Sequence, residues 1–526
     1  MESAVALPDD IEILKALVRE KDNIISMMKS QLSWTEEKLR AWELRYFGRK
    51  SEKKRDDDEK QNRLFDEAEA NATGVETPVT EKIVVPAYER KKRGRKPKID
   101  TLPVREVVYE LDDQERACPC CGEARKEIGE ERSSEYDLVP AHLVKIIHIR
   151  KKYGPCACQG FAESKEKPMI TARGPAKIVK GSDFTNRTIA FFLTGKYADA
   201  LPFYRMEKVL ERSALVIPRA TLSNLAVSVG RSLGDLIELM NRDIARSPVM
   251  LMDETTVQVL KSGEGPPGKS YMWVAVGYRD GKQIRRFAYH QSREGSFADK
   301  LLQGFSGYLQ TDGYGGYRHL EGRSDIVHVS CFAHIRRKFV EAVKVANNQS
   351  KAQEAVDTIA KIYRVERECR EALEKGTLDE KGFLEKRKER LGPIFAELRA
   401  WLMARSYDTT PQSMLGKAVA YAQGQFDTAV RFVDHVLLRP DTNAVENAIR
   451  PFVIGRKNWL FSGSPHGAHV SSGLYSLIET AKVNGHEPYA YLCHVFDTLP
   501  HCKTETEREA LLPYRLEPSR YKTDGE

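Results

Sequence analysis

The sequence predicts a multidomain α/β protein, and three observations carry that prediction. Two short apolar runs, Pro248-Val249-Met250-Leu251-Met252 and Tyr308-Leu309-Gln310-Thr311, read as buried strands, and each leads directly into an aspartate, Asp253 and Asp312. The interval from Cys331 to Leu438 carries apolar residues at helical spacing among many Lys, Arg and Glu, which predicts an all-helical insertion. Ahead of both lie a heptad-patterned segment, a polar stretch and a cluster of cysteines, each of different composition. A chain of 526 residues has room for roughly two to four domains.

Residues 1–51 form the first unit. Ile11, Val18, Ile25, Leu32, Leu39 and Tyr46 recur every seven positions, with Leu14, Met28 and Trp42 at the companion position and Lys21 and Thr35 interrupting it. This seam fits a leucine-zipper-like coiled coil and hence a homo-oligomer; a single amphipathic helix on the body is the alternative. Residues 52–100 turn polar and acidic, with Asp56-Asp57-Asp58, and read as a flexible linker. Within it, Arg90 to Lys98 packs seven cations around Gly94 and Pro97. Arg93, Arg95 and Lys96 lie in an Arg-Gly-Arg-Lys-Pro core that resembles an AT-hook and suits a narrow DNA minor groove, or else remains a solvated linker.

Five of the nine cysteines lie between Cys118 and Cys158, so a zinc module over residues 101–165 is more plausible than a disulfide scaffold. Cys118 and Cys121 have the Cys-x-x-Cys spacing that brings two thiolates to one tetrahedral zinc; Cys156 and Cys158 supply a tighter second pair, and buried free thiols are the alternative. Residues 175–240 read as helical, with Ile217-Pro218 as the turn of a helix-turn-helix and Arg219, Thr221, Ser223 and Asn224 at the start of its second helix.

The core is expected in two parts, residues 245–330 and 439–485, around the insertion 331–438, with residues 486–526 as a C-terminal tail. Tyr271–Val276 and Arg285–Tyr289 read as a hairpin about the turn Arg279-Asp280-Gly281-Lys282, and Phe297–Leu302 as a short helix before the Asp312 strand. In Asp441-Thr442-Asn443-Ala444-Val445-Glu446, either Asp441 or Thr442 caps a helix on which Asn443, Glu446 and Arg450 share a face, and Pro451 is expected to end or kink it. Asp253, Asp312 and Glu446 are thus candidate hard oxygen ligands for two Mg2+ or Mn2+ ions, the arrangement that phosphodiester chemistry uses.

The strings Met252-Asp253-Glu254-Thr255, Gln310-Thr311-Asp312-Gly313-Tyr314 and Asn443 to Pro451, followed by Gly455-Arg456-Lys457-Asn458-Trp459-Leu460-Phe461, closely resemble the insertion-sequence 66 family of DDE transposases. The resemblance covers nearly the whole chain. It implies a ribonuclease-H-like catalytic core, with Asp253, Asp312 and Glu446 as catalytic and metal-binding acids. Departures are Asp441-Thr442-Asn443 where the family has Asp-Asn-Asn, Asn447 where an arginine is common, and the Cys156/Cys158 spacing.

Three further groups follow. Cys331-Phe332-Ala333-His334 matches a family signature and suggests a structural or DNA-positioning role, with Arg336, Arg337 and Lys338 offering phosphate contacts. Arg450, Arg456, Lys457 and Trp459 form a basic-aromatic cluster after Glu446, in which the indole either stacks on a base or joins the core. The expected function is metal-dependent cleavage at transposon ends and joining of the 3′-hydroxyl to target DNA. A DNA-binding regulator with an inactive core and a nuclease without strand transfer are the alternatives. Expected partners are double-stranded DNA, a second copy of the chain and accessory proteins from the same element. The net charge of +8, together with no apolar stretch of membrane-spanning length and no signal-peptide pattern, leads to an expected location in the bacterial cytosol with the nucleoid.

Overall fold

A computed structural model describes residues 11–46, 144–153, 170–212, 216–260, 269–345 and 351–517. The chain divides into two units, residues 69–146 and the remainder, and every element below belongs to the remainder. The AT-hook-like run and Cys118, Cys121, Cys156 and Cys158 lie outside the described residues.

The heptad segment is one 36-residue helix, α1 (Ile11–Tyr46), with Ile11, Val18, Ile25, Leu32 and Leu39 exposed along it. A short antiparallel pair, β1 (Lys152–Tyr153) and β2 (Ile170–Thr171), precedes four helices: α2 (Asn186–Tyr197), α3 (Phe203–Arg212), α4 (Arg219–Ser232) and α5 (Gly234–Ile244). The side chain of Asn186 joins this group to the far end of the chain. Its amide donates to the carbonyls of Ala176 and Phe496 and to Asp497, while its oxygen accepts from the Ile178 N–H. The helices of residues 175–240 therefore pack against the C-terminal part of the chain.

The sheet is built as expected for strand, hairpin, helix, strand, with two strands added. β3 (Val249–Val259), β4 (Lys269–Arg279) and β5 (Lys282–His290) are antiparallel neighbours; α6 (Gly295–Leu301) leads to β6 (Gly307–Thr311), and β7 (Ile326–Ser330) lies outside it. The order is β5-β4-β3-β6-β7, with β6 and β7 parallel to β3 and a two-residue strand, β8 (Phe461–Ser462), paired to the end of β3. Asp280 and Gly281 both have positive φ, 50° and 77°, the backbone that a two-residue hairpin requires. Unpaired backbone at the β5 edge is satisfied by one face of α12 (Pro465–Val483) and the residue after it. Ser476, Thr480 and Asn484, four residues apart, bond the backbone of Phe287, Arg285 and Gln283 respectively.

The insertion is helical throughout its main elements: α7 (Phe332–Val345), α8 (Lys351–Glu374), α9 (Glu380–Asp408) and α10 (Met414–Ala429). Its interior holds a charged triad. Arg387, fully buried, and Arg370 both pair with Glu366, and they also bond the carbonyls of the returning chain: Phe432, His435 and Leu438 from Arg387, Val436 and Leu438 from Arg370. That chain leads into α11 (Asn443–Trp459), the helix of Glu446.

One alternative is excluded and one expectation is corrected. Pro451 does not end α11, which continues to Trp459; Val445, Ala448, Ile449, Phe452 and Gly455 are buried along it, and that continuous packed face outweighs the lost backbone bond. Residues 486–517 are no tail, since α13 (Pro488–Thr498), α14 (Glu505–Glu509) and the turns after them bury Tyr491, Leu492, Val495, Phe496, Leu512 and Tyr514.

Removing one member of a buried ion network leaves uncompensated charge. Glu366→Ala is expected to destabilise the protein by about 3–5 kcal/mol, measured by denaturant unfolding. A loss under 1 kcal/mol (about the worth of a surface pair) would show that the triad does not pin the returning chain.

Candidate active site

Pairing of β3 with β6 runs in register from Val249↔Tyr308 to Leu251↔Gln310. Two residues further along each parallel strand stand Asp253 and Asp312, so the two aspartates leave adjacent positions of the sheet. Glu446 approaches from the first turn of α11. Its helix is held by Asp441, whose carboxylate accepts from the Asn443 N–H at 3.0 Å; Thr442 occupies the cap position without capping through its side chain. The chain before it is anchored to the sheet, where Gln310 donates to the Arg439 carbonyl at 2.6 Å and the Phe332 N–H donates to Pro440 at 2.8 Å.

The three acids share one electrostatic field. Burial first, then the negative charges of Glu254, Asp312 and Glu446, pushes the Asp253 carboxyl up to about 8, against a hydrogen bond from the Glu254 N–H. Asp312 accepts from the Tyr314 N–H at 3.0 Å, and Glu446 lies 3.4 Å from the Thr442 hydroxyl. Among the described residues, no three His, Cys, Asp or Glu side chains are wrapped around a common point. The donor chemistry, carboxylate oxygens alone, suits a hard divalent cation: Asp253 lies within β3, Asp312 follows the end of β6 and Glu446 stands in the first turn of α11.

Surrounding residues divide between support and surface. Cys331 precedes α7, and burial pushes its thiol up to about 12. The Thr442 hydroxyl lies 3.4 Å from both the Cys331 sulfur and Glu446, linking the cysteine to the acid. His334 faces the site: burial and Arg337 hold its imidazole below the usual range, while Glu446 and Asp312 pull it upward. Arg336 is corrected from a phosphate contact to a buried residue, 3% exposed, in the field of Tyr363 and Asp357 on the insertion side. Arg337 is half-buried and Lys338 exposed.

Arg456 also turns inward, bonding the Thr255 hydroxyl at 3.0 Å and the backbone carbonyl and hydroxyl of Thr256 on β3. Trp459 packs edge-on against Phe452, with ring centres 5.5 Å apart, so its indole is part of the core instead of a free stacking surface. Arg450 is half-buried, and Lys457 is exposed at the end of α11.

Sequence reasoning missed Glu254, Arg293, Tyr317 and Tyr421. Glu254 had a signal, a second acid directly after Asp253 behind an apolar run; the others come from distant segments. Tyr421, on α10, crowds the Asp312 loop so closely that a methyl group at Gly313 would overlap its hydroxyl.

A DNA-processing enzyme is the class that this combination of sheet, acids and helical insertion defines. The chain matches the family described as Transposase IS66 family over residues 181–470, more than half its length. It also matches the IS66 C-terminal element over 476–514, the zinc-finger binding domain of transposase IS66 over 115–159, and the Transposase C of IS166 homeodomain over 34–107. Two relatives from Sinorhizobium fredii, both named as uncharacterized proteins, are similar over most of their length. One, y4jD, is 31% identical over 425 residues, 78% of this chain and 80% of its own. The other, y4qI, is 27% identical over 475 residues, 88% and 84%. This chain belongs to the IS66 transposase family. Among the described residues, no helix is long and apolar enough to cross a membrane.

Gly313→Ala is expected to displace the Asp312 loop. Turnover on DNA should fall by about 100-fold, as for a misplacement of order 1 Å, with a stability loss of about 1–3 kcal/mol; full activity would show that the loop tolerates the added carbon.

Proposed function

We propose that the six-stranded sheet is a ribonuclease-H-like core in which Asp253, Asp312 and Glu446 hold two Mg2+ or Mn2+ ions, and that the enzyme cleaves transposon ends and joins the freed 3′-hydroxyl to target DNA. The observation that carries this reading is the shared field at Asp253: acids from a central strand, its parallel neighbour and a helix beyond the insertion act on one carboxyl. When bound, such ions supply activation of the attacking oxygen and stabilisation of the leaving oxygen. The chain's own part is to hold the carboxylates aligned. His334 adds a hydrogen-bonding group beside the acids, and exposed Lys338 and Lys457 add positive charge for the phosphate backbone.

DNA binding, in this reading, is spread over the Arg93-Gly94-Arg95-Lys96 run, the exposed start of α4 at Arg219, Ser223 and Asn224, and these lysines. The exposed heptad residues of α1 are taken as the pairing surface for a second copy. Zinc, held by Cys118 and Cys121 with Cys156 and Cys158, organises the module matched by the zinc-finger family.

Asp253→Asn is expected to abolish cleavage of end-bearing DNA in Mg2+ or Mn2+ while leaving end binding within about threefold of wild type, read by gel shift at fixed salt. A folded, fully active variant would remove Asp253 from the chemistry. Products of wild type divide the reading further: joined as well as cut DNA supports transposition, whereas cutting without joining, even with the element's accessory proteins, indicates a nuclease alone.

Cys118→Ser is expected to lower bound zinc to a small fraction of the wild-type amount in metal analysis of purified protein. Unchanged zinc content would move the site elsewhere.

A further inference from the structure

Glu254 follows Asp253 in β3, and strand geometry turns the two side chains to opposite faces. Its side chain is only 1% exposed, so a partner is required. One oxygen pairs with Arg293 Nε, and the other accepts from the Tyr317 hydroxyl at 2.9 Å.

Both partners belong to the surroundings of Asp312. The Arg293 guanidinium lies 3.6 Å over the Tyr314 ring; the Tyr314 N–H donates to the Asp312 carboxylate, and its hydroxyl reaches the Arg293 carbonyl at 3.5 Å. Tyr317 stands edge-on to Trp273, which pairs in register with Glu254. The loop after β6 is thereby pinned to the strand of Asp253, and the pins converge on Glu254. Arg293 also feels the charge of Asp312, and its side chain is 36% exposed, so it has room to move.

We propose that Glu254 is a positioning residue whose ion pair keeps Arg293 off Asp312, leaving Asp312 available to a divalent cation. A guanidinium binds a carboxylate through two parallel hydrogen bonds and stays charged at any working pH, so it is an effective competitor for a metal ligand. With Glu254 present, the competitor is held by the ion pair. Without that charge, Arg293 is left with the charge of Asp312, which it already feels. The proposal rests on the reading of Asp253, Asp312 and Glu446 as cation ligands.

The test is Mn2+ titration of the full chain, with free Mn2+ followed by electron paramagnetic resonance, on wild type, Glu254→Gln, the double variant Glu254→Gln/Arg293→Met, and Asp253→Asn. The glutamine keeps an acceptor for Tyr317 and loses only the charge. Glu254→Gln is expected to weaken Mn2+ binding by about tenfold, and removing Arg293 as well to restore it to within about threefold of wild type, a non-additive pattern that general loosening of the fold does not produce. Wild-type affinity in Glu254→Gln, or no recovery in the double variant, overturns the proposal. If Glu254→Gln does not fold, the double variant decides alone, because its neutral pair needs no ion pair: near-wild-type binding supports the proposal and weak binding overturns it. Equal binding by wild type and Asp253→Asn overturns the cation-site reading itself, and this proposal with it; binding lost in Asp253→Asn but unchanged in Glu254→Gln overturns the proposal only.

Discussion

Like charges forced together in a partly buried place repel, and this constraint organises the centre of the molecule. Burial, together with the charges of Glu254, Asp312 and Glu446, pushes Asp253 up to about 8. The fold neutralises one of them: Glu254 is enclosed and given a guanidinium and a hydroxyl. Asp253, Asp312 and Glu446 are left half-buried beside one another.

The same constraint explains how much of the chain is spent on placing Glu446. Asp253 and Asp312 are aligned by one strand pairing, whereas Glu446 returns only after a large helical insertion. The insertion contributes a clamp. Arg387 and Arg370, balanced by Glu366, hold the carbonyls of residues 432–438, and Gln310 and Phe332 then fasten Arg439 and Pro440 to the sheet. From there, Asp441 starts the helix. Each fastening uses an otherwise unsatisfied backbone group, which makes a non-helical segment tolerable in a buried position.

Local patterns were legible in the sequence wherever short-range physics decides them. The β6 run, the hairpin turn and the helical insertion stand where they were expected, because apolar periodicity and turn residues are local properties, whereas β3 runs on past Asp253 to Val259. Asp253 and Asp312 were found as polar residues after apolar runs, and Glu446 as a helical position sharing a face with Asn443 and Arg450. What escaped depends on distant partners. Arg456 and Arg336 look like free cations in sequence, yet one bonds β3 and the other is buried beside the insertion. Proline rules left open whether Pro451 ends or kinks α11, because the packed face of that helix was invisible, and β7 was missed because its run is short and broken by His328.

Integration of the helices before the sheet bears on how DNA and chemistry are related. Val470 of α12 fills the space beside Gly230 of α4 so closely that no side chain fits there, and Asn186 of α2 bonds residues of α13. Meanwhile α12 satisfies the edge of β5 through Ser476 and Thr480. The exposed start of α4 is therefore coupled through packed side chains to the sheet that carries Asp253. A duplex contacted at Arg219, Ser223 and Asn224 would be positioned relative to the acids by the core itself, without a flexible linker between binding and chemistry.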